Sequence, residues 1–458
     1  MYLSIDEILK ATGGTIISEG ERTSVTAVST DSRMAGPGEL FIPLIGERFD
    51  GHDYILKAFE NGAAAALTQK DQISPDGRVL IRVGDTSAAL RELAAYYRSK
   101  FHIPFVGITG SVGKTSTKDM VASVLGRRFN VLSTEGNLNN EIGVPLTVFK
   151  LDEMHGVAVL EMGMSGFGEI SRLTAIVKPA VAIITNVGMS HIEKLGSRNN
   201  ILRAKLEILE GLDSNGLVVL NRDDNLLDGV KNLLNHRTVS YGMEEGADYQ
   251  AGNIISCGEG GIDFGLTVEG RAYDVHLPVP GIHNVNNALA AVAAGRELNV
   301  PMEDIIEGIA AYKPGKMRLN IISANGLRII NDTYNASPQS MKAALDVLEE
   351  IGMTGCRIAV LGDMLEMGDW AKEAHSEVGR YAAGKRLSRL ITVGPNATYI
   401  GEGAIEAGFP EEAVSIFSNN KEAARFIEKI VQNGDTILIK GSRGMKMEEL
   451  ANRFTAAG

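Results

Sequence analysis

The chain has 458 residues, of which 44% are hydrophobic and 22% are charged, and its formal net charge at pH 7 is −12. At roughly 150 residues per domain, this length suggests about three domains. The acidic balance argues against a general nucleic-acid-binding surface, although a local nest of amides with a lysine can still bind phosphate. We therefore expect small-molecule partners and no nucleic acid.

The first residues and the cysteines indicate the compartment. MYLSIDEILK carries acids in an amphipathic pattern and lacks the apolar core of a signal peptide. No apolar run approaches the roughly 18 residues that span a bilayer. Cys257 and Cys356 lie far apart and match no metal or redox spacing. We expect a cytoplasmic monomer without membrane insertion.

Apolar runs and turns alternate along the chain in three sets. Residues 1–100 include a helical pattern at TSAALRELAAYYRSK, and a new strand, FVGIT, begins after His102-Ile103-Pro104. Strand and helix signals then alternate in the α/β manner. The apolar strands are VAVLEMG (157–163), VAIITNVG (181–188) and LVVLNRDD (217–224). Strands of this kind predict a parallel sheet that is covered on both faces.

Polar residues stand where these strands end. Ligands of parallel sheets bind beyond the carboxyl ends of the strands, so polar chemistry is predicted at one sheet edge. The residues at these ends are Thr109, Glu161, Asn186 and Asp223. The strand and helix pattern is interrupted again near AYKPGKMRLN (311–320). The third set of apolar runs follows: LRIINDTY, CRIAVLGDM, RLITVG and DTILIKGS.

The predicted fold class is α/β with three domains. Residues 1–100 form an N-terminal α/β domain, and residues 101–312 form a central parallel-sheet domain of the P-loop mononucleotide-binding type. Residues 313–458 form a Rossmann-like α/β domain.

A glycine-rich turn, GITGSVGKTSTKDM (107–120), follows strand FVGIT and opens a predicted helix. Backbone N–H groups and the helix dipole converge on phosphate in this setting. The turn is shorter than the usual phosphate loop, because isoleucine occupies position 108, where the first glycine belongs. A plain strand–helix turn with a surface lysine is the alternative. We predict nucleotide binding by Gly110, Ser111, Gly113, Lys114, Thr115 and Ser116.

Glu161 and His191 follow strands of the same predicted sheet. A carboxylate at the strand end beside the glycine turn is a natural magnesium ligand, although a solvated acid is the alternative. His191 lies after its strand near the expected phosphate, whereas lone histidines are more often structural. Both residues are candidates for metal binding.

Lys205 interrupts the apolar stripe of the predicted helix NNILRAKLEILEGL. Its stem could cover apolar surface while the ammonium reaches water. Alternatively, desolvation lowers its pKa and gives it a special task. A neutral amine can add carbon dioxide and become a carbamate, which is an anionic oxygen ligand for magnesium. The residues alone leave both interpretations open.

The turn TGSVGKTST together with Glu161, His191 and Lys205 resembles the Mur ligases, the ATP-dependent amide-forming enzymes of peptidoglycan synthesis. The turn is similar to the ATP loop of the family, and the three residues fall at its magnesium and carbamylated-lysine positions. The resemblance implies ATP and Mg²⁺ as cofactors and a carbamylated Lys205. It also implies catalytic roles for Lys114, His191 and Lys205.

Five longer segments resemble the family member that adds D-alanyl-D-alanine to UDP-MurNAc-tripeptide. They are DSRMAGPGELFIPLIGERFDGHDYI (31–55), TEGNLNNEIGVPLT (134–147), NDTYNASPQSMKAAL (331–345), LGDMLEMG (361–368) and KGSRGMKMEE (440–449). Because they span all three predicted domains in order, they are more specific than one glycine loop. The implied partners are UDP-MurNAc-tripeptide and D-alanyl-D-alanine.

The resemblance also implies roles for single residues, each of which would otherwise be an ordinary polar surface residue. Ser32 and Arg33 would lie at the UDP-sugar site, and Asn139 and Asn140 near the sugar-peptide substrate or the nucleotide. Arg318 would stand in the linker at the hinge. The implied nucleotide contacts are Asn284, Tyr334 and Asn335, and the implied dipeptide contacts are Lys440, Ser442 and Arg443.

The implied reaction moves the γ-phosphoryl group of ATP to a peptide carboxylate, and the dipeptide amine then attacks the acyl phosphate. The expected metal shell is Thr115, Glu161, His191 and carbamylated Lys205. Because acyl phosphates hydrolyse, the site must exclude water, and we expect the third domain to close on the second about residues 311–320.

Three other functions remain as alternatives. A kinase or P-loop NTPase leaves Lys205 and the DSR segment unexplained. A folylpolyglutamate-type ligase would share the second and third domains but lack the UDP-sugar segment. A non-enzymatic nucleotide-binding scaffold would be expected to lack the metal-binding acid, whereas Glu161 is present.

Overall fold

The computed structural model describes residues 1–20, 23–71, 78–351 and 355–455. Three large sheets follow one another along this part of the chain, and helices pack against each of them. Within the described residues, none of the helices is both long enough and apolar enough to cross a bilayer. The predicted α/β class with three successive units is confirmed.

The first unit contains a five-stranded sheet of order β2-β7-β6-β5-β4 and a small β1-β3 pair. Its first helix begins with a capping box, in which Ser4 and Glu7 each bond the backbone N–H of the other. The elements are β1 (Leu3–Ser4), α1 (Ile5–Thr12), β2 (Thr15–Ser18), β3 (Ser24–Val25), β4 (Ala27–Ser29), β5 (Glu39–Phe41), α2 (Ile55–Glu60), β6 (Ala65–Thr68), β7 (Val79–Arg82) and α3 (Thr86–Ser99).

The second unit is built on a nine-stranded sheet of order β16-β15-β14-β13-β12-β11-β8-β10-β9. The elements are β8 (Phe105–Thr109), α4 (Lys114–Leu125), β9 (Val131–Ser133), α5 (Gly143–Val148), β10 (Val157–Glu161), α6 (Glu169–Val177), β11 (Val181–Ile184), α7 (Ile192–Leu195), α8 (Arg198–Leu206), β12 (Leu217–Asn221), α9 (Asn225–Lys231), β13 (Arg237–Gly242), β14 (Tyr249–Ser256), β15 (Ile262–Val268), β16 (Arg271–Leu277), α10 (His283–Glu297) and α11 (Met302–Ala310).

The strands from β9 to β14 in this sheet pair in parallel, as the buried apolar runs predict. The sheet then continues as an antiparallel meander through β15 and β16, which the sequence interpretation did not predict. In β15, buried and more exposed side chains alternate along the strand. Such alternation is typical of a sheet that is covered on one face only.

The third unit contains a six-stranded sheet of order β17-β18-β22-β19-β20-β21, parallel except for the edge strand β17. The elements are β17 (Asn320–Ala324), β18 (Leu327–Asp332), α12 (Pro338–Glu350), β19 (Arg357–Gly362), α13 (Ala371–Ala383), β20 (Arg389–Val393), α14 (Thr398–Glu406), β21 (Val414–Phe417), α15 (Asn420–Ile430), β22 (Thr436–Lys440) and α16 (Glu448–Thr455).

The helix that carries Lys205 is shorter than its apolar stripe predicts. It ends at Leu206 and continues as a 3₁₀ turn over Glu207–Gly211. The carboxylate of Glu207 accepts the backbone N–H groups of Gly168 and Ser171 at the start of α6. These tertiary contacts fix the turn after Leu206, and periodicity alone does not encode them.

Candidate active site

The glycine turn joins the end of β8 to the start of α4, as predicted. Gly113 precedes the helix with φ +83°, and a Cβ added to it would lie 2.7 Å from Asn287 Oδ1. Gly110 has φ +151°, and an added Cβ would lie 1.8 Å from Thr185 Oγ1. Both positions therefore require glycine for conformation and for space.

The end of the neighbouring strand β11 holds this loop in place. The backbone N–H of Ser111 donates to Asn186 O over 3.0 Å, and that of Val112 donates to Asn186 Oδ1 over 2.9 Å. Thr185 Oγ1 donates to Val112 O over 2.6 Å. The loop is thus shaped by its own sheet, so the conformation is present without a ligand.

Lys114 folds back over the loop. Its Nζ donates to Gly110 O over 2.8 Å and lies 3.4 Å from Ser111 O. Burial lowers the pKa of this ammonium, the charge of Glu161 opposes that shift, and Arg318 adds to it. A phosphate in the loop would give Lys114 a charged partner in place of two carbonyl oxygens.

Glu161 is the buried centre of a polar network. Its Oε2 accepts Thr115 Oγ1–H over 2.6 Å, and its Oε1 accepts Asn139 Nδ2–H over 2.7 Å. Its backbone N–H donates to Thr134 Oγ1 over 2.9 Å. The linker residue Arg318 donates from Nη2 to Thr115 Oγ1 over 2.7 Å. Only 3% of Glu161 is exposed, and both of its carboxylate oxygens are hydrogen-bonded.

Lys205 is buried, with 2% of its surface exposed. Its pKa is lowered well below the usual value, chiefly by burial and further by the charge of Lys114. The interpretation in which the ammonium snorkels to water is therefore wrong. The desolvated lysine is the interpretation that fits.

His191 contacts the third unit. Its Nδ1 lies 2.5 Å from Glu366 Oε2, and the contact lowers the pKa of the Glu366 carboxyl. His191 has φ +63° and stands immediately before α7. With Nδ1 turned to Glu366, Nε2 is the nitrogen left for a metal ion.

A first cleft of about 470 Å³ lies between the second and third units. It brings together most of the predicted nucleotide and metal residues. These are Ser111, Gly113, Lys114, Thr115, Ser116, Asn139, Asn140, Glu161, His191, Asn284, Arg318, Tyr334, Asn335 and Lys440. Lys205 and Gly110 are not among its lining residues, although Lys205 lies close enough to Lys114 for their charges to interact.

Asn284 and Asn287 both line this cleft and are hydrogen-bonded to each other. Asn284 Nδ2 donates to Pro280 O over 2.8 Å, and Asn287 Nδ2 donates to Asn284 Oδ1 over 3.0 Å. Thr117 Oγ1 donates to Asn287 Oδ1 over 3.0 Å. From the opposite side, the ring of Tyr334 lies 3.9 Å under the guanidinium of Arg318. Both domains therefore contribute to one chamber.

A second cleft of about 510 Å³ continues from the first and is lined by Asn139, His191, Tyr334, Glu366, Ser442 and Arg443, among others. Lys440, the third predicted dipeptide contact, does not line the second cleft with Ser442 and Arg443. Its Nζ bonds Asp332 Oδ2 over 2.5 Å and Asn335 O over 2.9 Å, and it lines the first cleft.

Three predicted residues serve local structure or lie elsewhere. Asn140 Oδ1 accepts the backbone N–H of Gly143 over 2.8 Å at the start of α5. Ser32 is buried in the first unit, where its carbonyl accepts Asn61 Nδ2–H. The exposed Arg33 pairs with Asp31 over 2.6 Å. Neither Ser32 nor Arg33 lines either cleft.

Sequence reasoning missed Asn287, Thr134 and Glu366. Asn287 stands three positions after Asn284 in NVNNALAA, so helical spacing could have paired them. Thr134 and Glu366 gave no such local signal, because both act through partners far along the chain.

Comparison with known proteins places the chain in a family. Three family models match it in order. They are "Mur ligase family, catalytic domain" over residues 24–98, "Mur ligase middle domain" over 108–295, and "Mur ligase, glutamate ligase domain" over 317–443. The chain belongs to the Mur ligase family of ATP-dependent ligases.

Its full-length relatives are more specific. The UDP-N-acetylmuramoyl-tripeptide–D-alanyl-D-alanine ligase of Bacillus subtilis (strain 168) is 42% identical, over 98% of this chain and 97% of that protein. A crystal structure of MurF from Acinetobacter baumannii superposes with a TM-score of 0.92 at 34% identity and covers 99% of both chains. A MurF ligase from Thermotoga maritima in complex with ADP has a TM-score of 0.83 at 29% identity, over 93% of this chain and 96% of that one.

Proposed function

We propose that this protein uses ATP to join D-alanyl-D-alanine to UDP-MurNAc-tripeptide, which gives UDP-MurNAc-pentapeptide, ADP and phosphate in peptidoglycan precursor synthesis. The observation that carries the proposal is the junction of two clefts at Asn139 and His191. A phosphate loop opens into the first, and polar residues of the third domain line the second. A phosphorylated carboxylate at the junction would face the incoming amine.

The chemistry explains why both clefts are needed. A free carboxylate is a poor acyl donor, because its leaving group would be oxide. Transfer of the γ-phosphoryl group of ATP to the tripeptide carboxylate gives an acyl phosphate, whose leaving group is phosphate. The free amine of the dipeptide then attacks the acyl carbon, and the tetrahedral intermediate expels phosphate and loses a proton to give the amide.

The phosphate loop and Lys114 would bind and orient the triphosphate. Its amide groups and the start of α4 suit an anion, and the ammonium of Lys114 would offset the charge that the transferring phosphoryl group carries. Asn284, Tyr334 and Asn335 all line the first cleft; Asn284 would contact the adenine, and Tyr334 and Asn335 would contact the nucleotide from the third domain. The positive charge of Lys114 would thereby reduce the repulsion between the phosphates and the attacking carboxylate.

Thr115, Glu161 and His191 fit a magnesium site. The hydroxyl of Thr115 and the carboxylate of Glu161 lie side by side at 2.6 Å, and hard oxygen ligands suit Mg²⁺. His191 lines the same cleft. Bound Mg²⁺ would stabilise negative charge on the phosphates. Arg318 donates a hydrogen bond to Thr115 Oγ1, the oxygen that would bind the ion. We therefore expect Arg318 to turn towards the phosphates when the ion binds.

Lys205 would complete the metal shell as a carbamate. Its burial favours the neutral amine, which is the form that reacts with carbon dioxide. Because the neighbouring charge is the cation of Lys114, an anionic carbamate would be stabilised there, whereas an ammonium is not.

The domain bounds belong to the same proposal: 1–100 for UDP-sugar binding, 101–312 for ATP binding and 313–458 for closure and the dipeptide. Ser32 and Arg33 would contact the UDP-sugar from the first domain. A folylpolyglutamate-type ligase is less supported, because the match over residues 24–98 covers the part of the chain that such a ligase would lack. A simple NTPase would have no need of the second cleft.

The decisive experiment measures phosphate release with ATP, Mg²⁺, UDP-MurNAc-tripeptide and D-alanyl-D-alanine, each omitted in turn, and identifies the product by mass spectrometry. We expect release to require both substrates and the product to be UDP-MurNAc-pentapeptide. Release that is indifferent to the two substrates would refute the ligase and return the protein to the NTPase class.

A further inference from the structure

The second cleft has a distinctive charge pattern. Among the described residues that line it, Glu366 is the one carboxylate, and Arg443 and His191 are the other members that can carry charge, apart from the phenol of Tyr334. Most of the lining is polar but neutral, or apolar, as with Asn137, Ser442 and Met317. A site with one acid and one guanidinium suits a small zwitterion.

Glu366 and Arg443 stand on adjoining loops of the third domain. Their loops follow β19 and β22, which are neighbouring parallel strands. The backbone N–H of Leu365 donates to Ser442 Oγ over 2.9 Å, which ties the two loops together one residue from each charged group. Both charged residues line the same cleft, and a dipeptide that spans at most about 7 Å would have to bridge them there.

The backbone of Glu366 is held in an unusual conformation. Its φ is +61°, in the left-handed region that a glutamate seldom adopts. Its carboxylate meets His191, which is also left-handed, with φ +63°. Strained residues of this kind persist where the surrounding structure requires them, and they cluster at binding sites. The carboxylate of Glu366 reaches His191, which lines both clefts.

We propose that the carboxylate of Glu366 binds the ammonium group of the incoming dipeptide and so selects acceptors with a free amino terminus. Arg443 then takes the carboxylate at the other end of the dipeptide. This inference rests on the proposed function and adds the residue that positions the nitrogen, which attacks once the ammonium has lost one proton to solvent. Arg443 now pairs with Glu448 over 3.1 Å and is more than half exposed, so its guanidinium can exchange partners at little cost.

A competing explanation is that Glu366 only latches the two domains together through His191. A latch would affect every substrate, since closure assembles the whole chamber. An ammonium site would affect only ligands that carry the ammonium. The two explanations therefore differ in which ligands bind more weakly when the charge of Glu366 is removed.

The experiment compares wild type with Glu366→Gln, using D-alanyl-D-alanine and D-lactoyl-D-alanine, in which a hydroxyl replaces the ammonium. KM for the dipeptide, the inhibition constant of the hydroxyl analogue, and KM for ATP are measured in each protein. We expect the glutamine variant to bind the dipeptide roughly 10- to 100-fold more weakly. The hydroxyl analogue and ATP should bind within about threefold of wild type.

Glu193→Gln is the matched control, because Glu193 is an exposed acid on α7 that packs beside Gly368 at the same domain contact but does not line the cleft. It should leave all three constants unchanged. Equal weakening of the dipeptide, the analogue and ATP in Glu366→Gln would establish the latch instead. An unchanged dipeptide KM would also overturn the inference. If wild type makes no pentapeptide at all, the proposed function itself fails.

Discussion

The guanidinium of Arg318, in the linker to the third domain, donates to the hydroxyl of Thr115 in the first turn of the phosphate-loop helix, over 2.7 Å. The same guanidinium stacks on the ring of Tyr334 at 3.9 Å. Its neighbours Met317 and Leu319 have φ of +60° and +46°, so the backbone on both sides of Arg318 is left-handed. The linker is thus held by contacts to the first turn of α4 and to Tyr334, which ties the position of the third domain to the glycine turn.

Replacing Arg318 by methionine should therefore lower kcat strongly while changing the free energy of unfolding only slightly. The variant keeps an unbranched side chain but loses the charge near the phosphates and the bond to Thr115. We expect kcat to fall by about 10- to 100-fold, or roughly 2 kcal/mol of transition-state stabilisation. Lys316→Met, at an exposed position of the same linker, should retain wild-type kcat. Equal losses in the two variants would mean that the linker needs positive charge in general.

Replacing Gly113 by alanine should weaken ATP binding through a steric clash. The new Cβ would lie 2.7 Å from Asn287 Oδ1 at a φ of +83°. We expect KM for ATP to rise by about tenfold or more and the free energy of unfolding to fall by about 1–3 kcal/mol. Gly13→Ala is the control, since Gly13 has φ +61° but no atom within 4 Å of its added Cβ. If both variants lost the same stability and both kept ATP binding, the contact with Asn287 would be unimportant.

Lys205 should carry a carbamate when carbon dioxide is present. Protein equilibrated with ¹³C-bicarbonate should show a carbamate resonance by NMR, and activity lost on removal of carbon dioxide should return with bicarbonate. Lys205→Arg keeps a long, nitrogen-bearing side chain but cannot form the carbamate, so it should lose the resonance and about 10²–10³-fold in kcat. Lys150→Arg, at an exposed site, should keep both. A resonance that survives in Lys205→Arg would assign the carbamate to another amine.

Acid should destabilise the third domain through His375. Burial lowers the pKa of this imidazole below its usual 6.5, and its Nδ1 donates to Ala371 O while Nε2 accepts the N–H of Met364. Above pH 6.5 the ring is neutral in both states, and the full stability is present. As the pH falls below 6.5, His375 becomes protonated in the unfolded chain but stays neutral in the folded protein. The free energy of unfolding therefore decreases until the pH reaches the lowered pKa of the folded state.

Urea unfolding between about pH 8 and pH 5 tests this expectation. His375→Gln should be less stable than wild type at pH 8 but should lose less stability on acidification. The control variant His102→Gln, at an exposed position, should follow the wild-type curve. Parallel curves for wild type and His375→Gln would show that another group causes the acid sensitivity.

Much of the fold could be predicted from local patterns, and the failures have physical causes. The buried strands of the second and third domains were predictable, because parallel strands covered on both faces are continuously apolar. The antiparallel meander β14–β16 was missed, since its alternating pattern is easily confused with loops. The premature end of α8 at Leu206 was missed because Glu207 bonds another helix, which no periodicity in this segment encodes.

The sequence alone predicted the glycine turn between a strand and a helix, the acid at the end of an apolar strand at Glu161 and the lysine inside an apolar stripe at Lys205, because each departs from its local pattern in a way that chemistry explains. Whether Lys205 reaches water depended on what packs over it, so only the tertiary structure decided between snorkelling and burial. Only the tertiary structure shows that Lys440 bonds Asp332 and does not line the second cleft. It alone also shows that Glu366 contacts His191, which lies 175 positions earlier in the chain. Local patterns determine which groups a chain offers, whereas packing between distant segments decides which of them meet and how far each is removed from water.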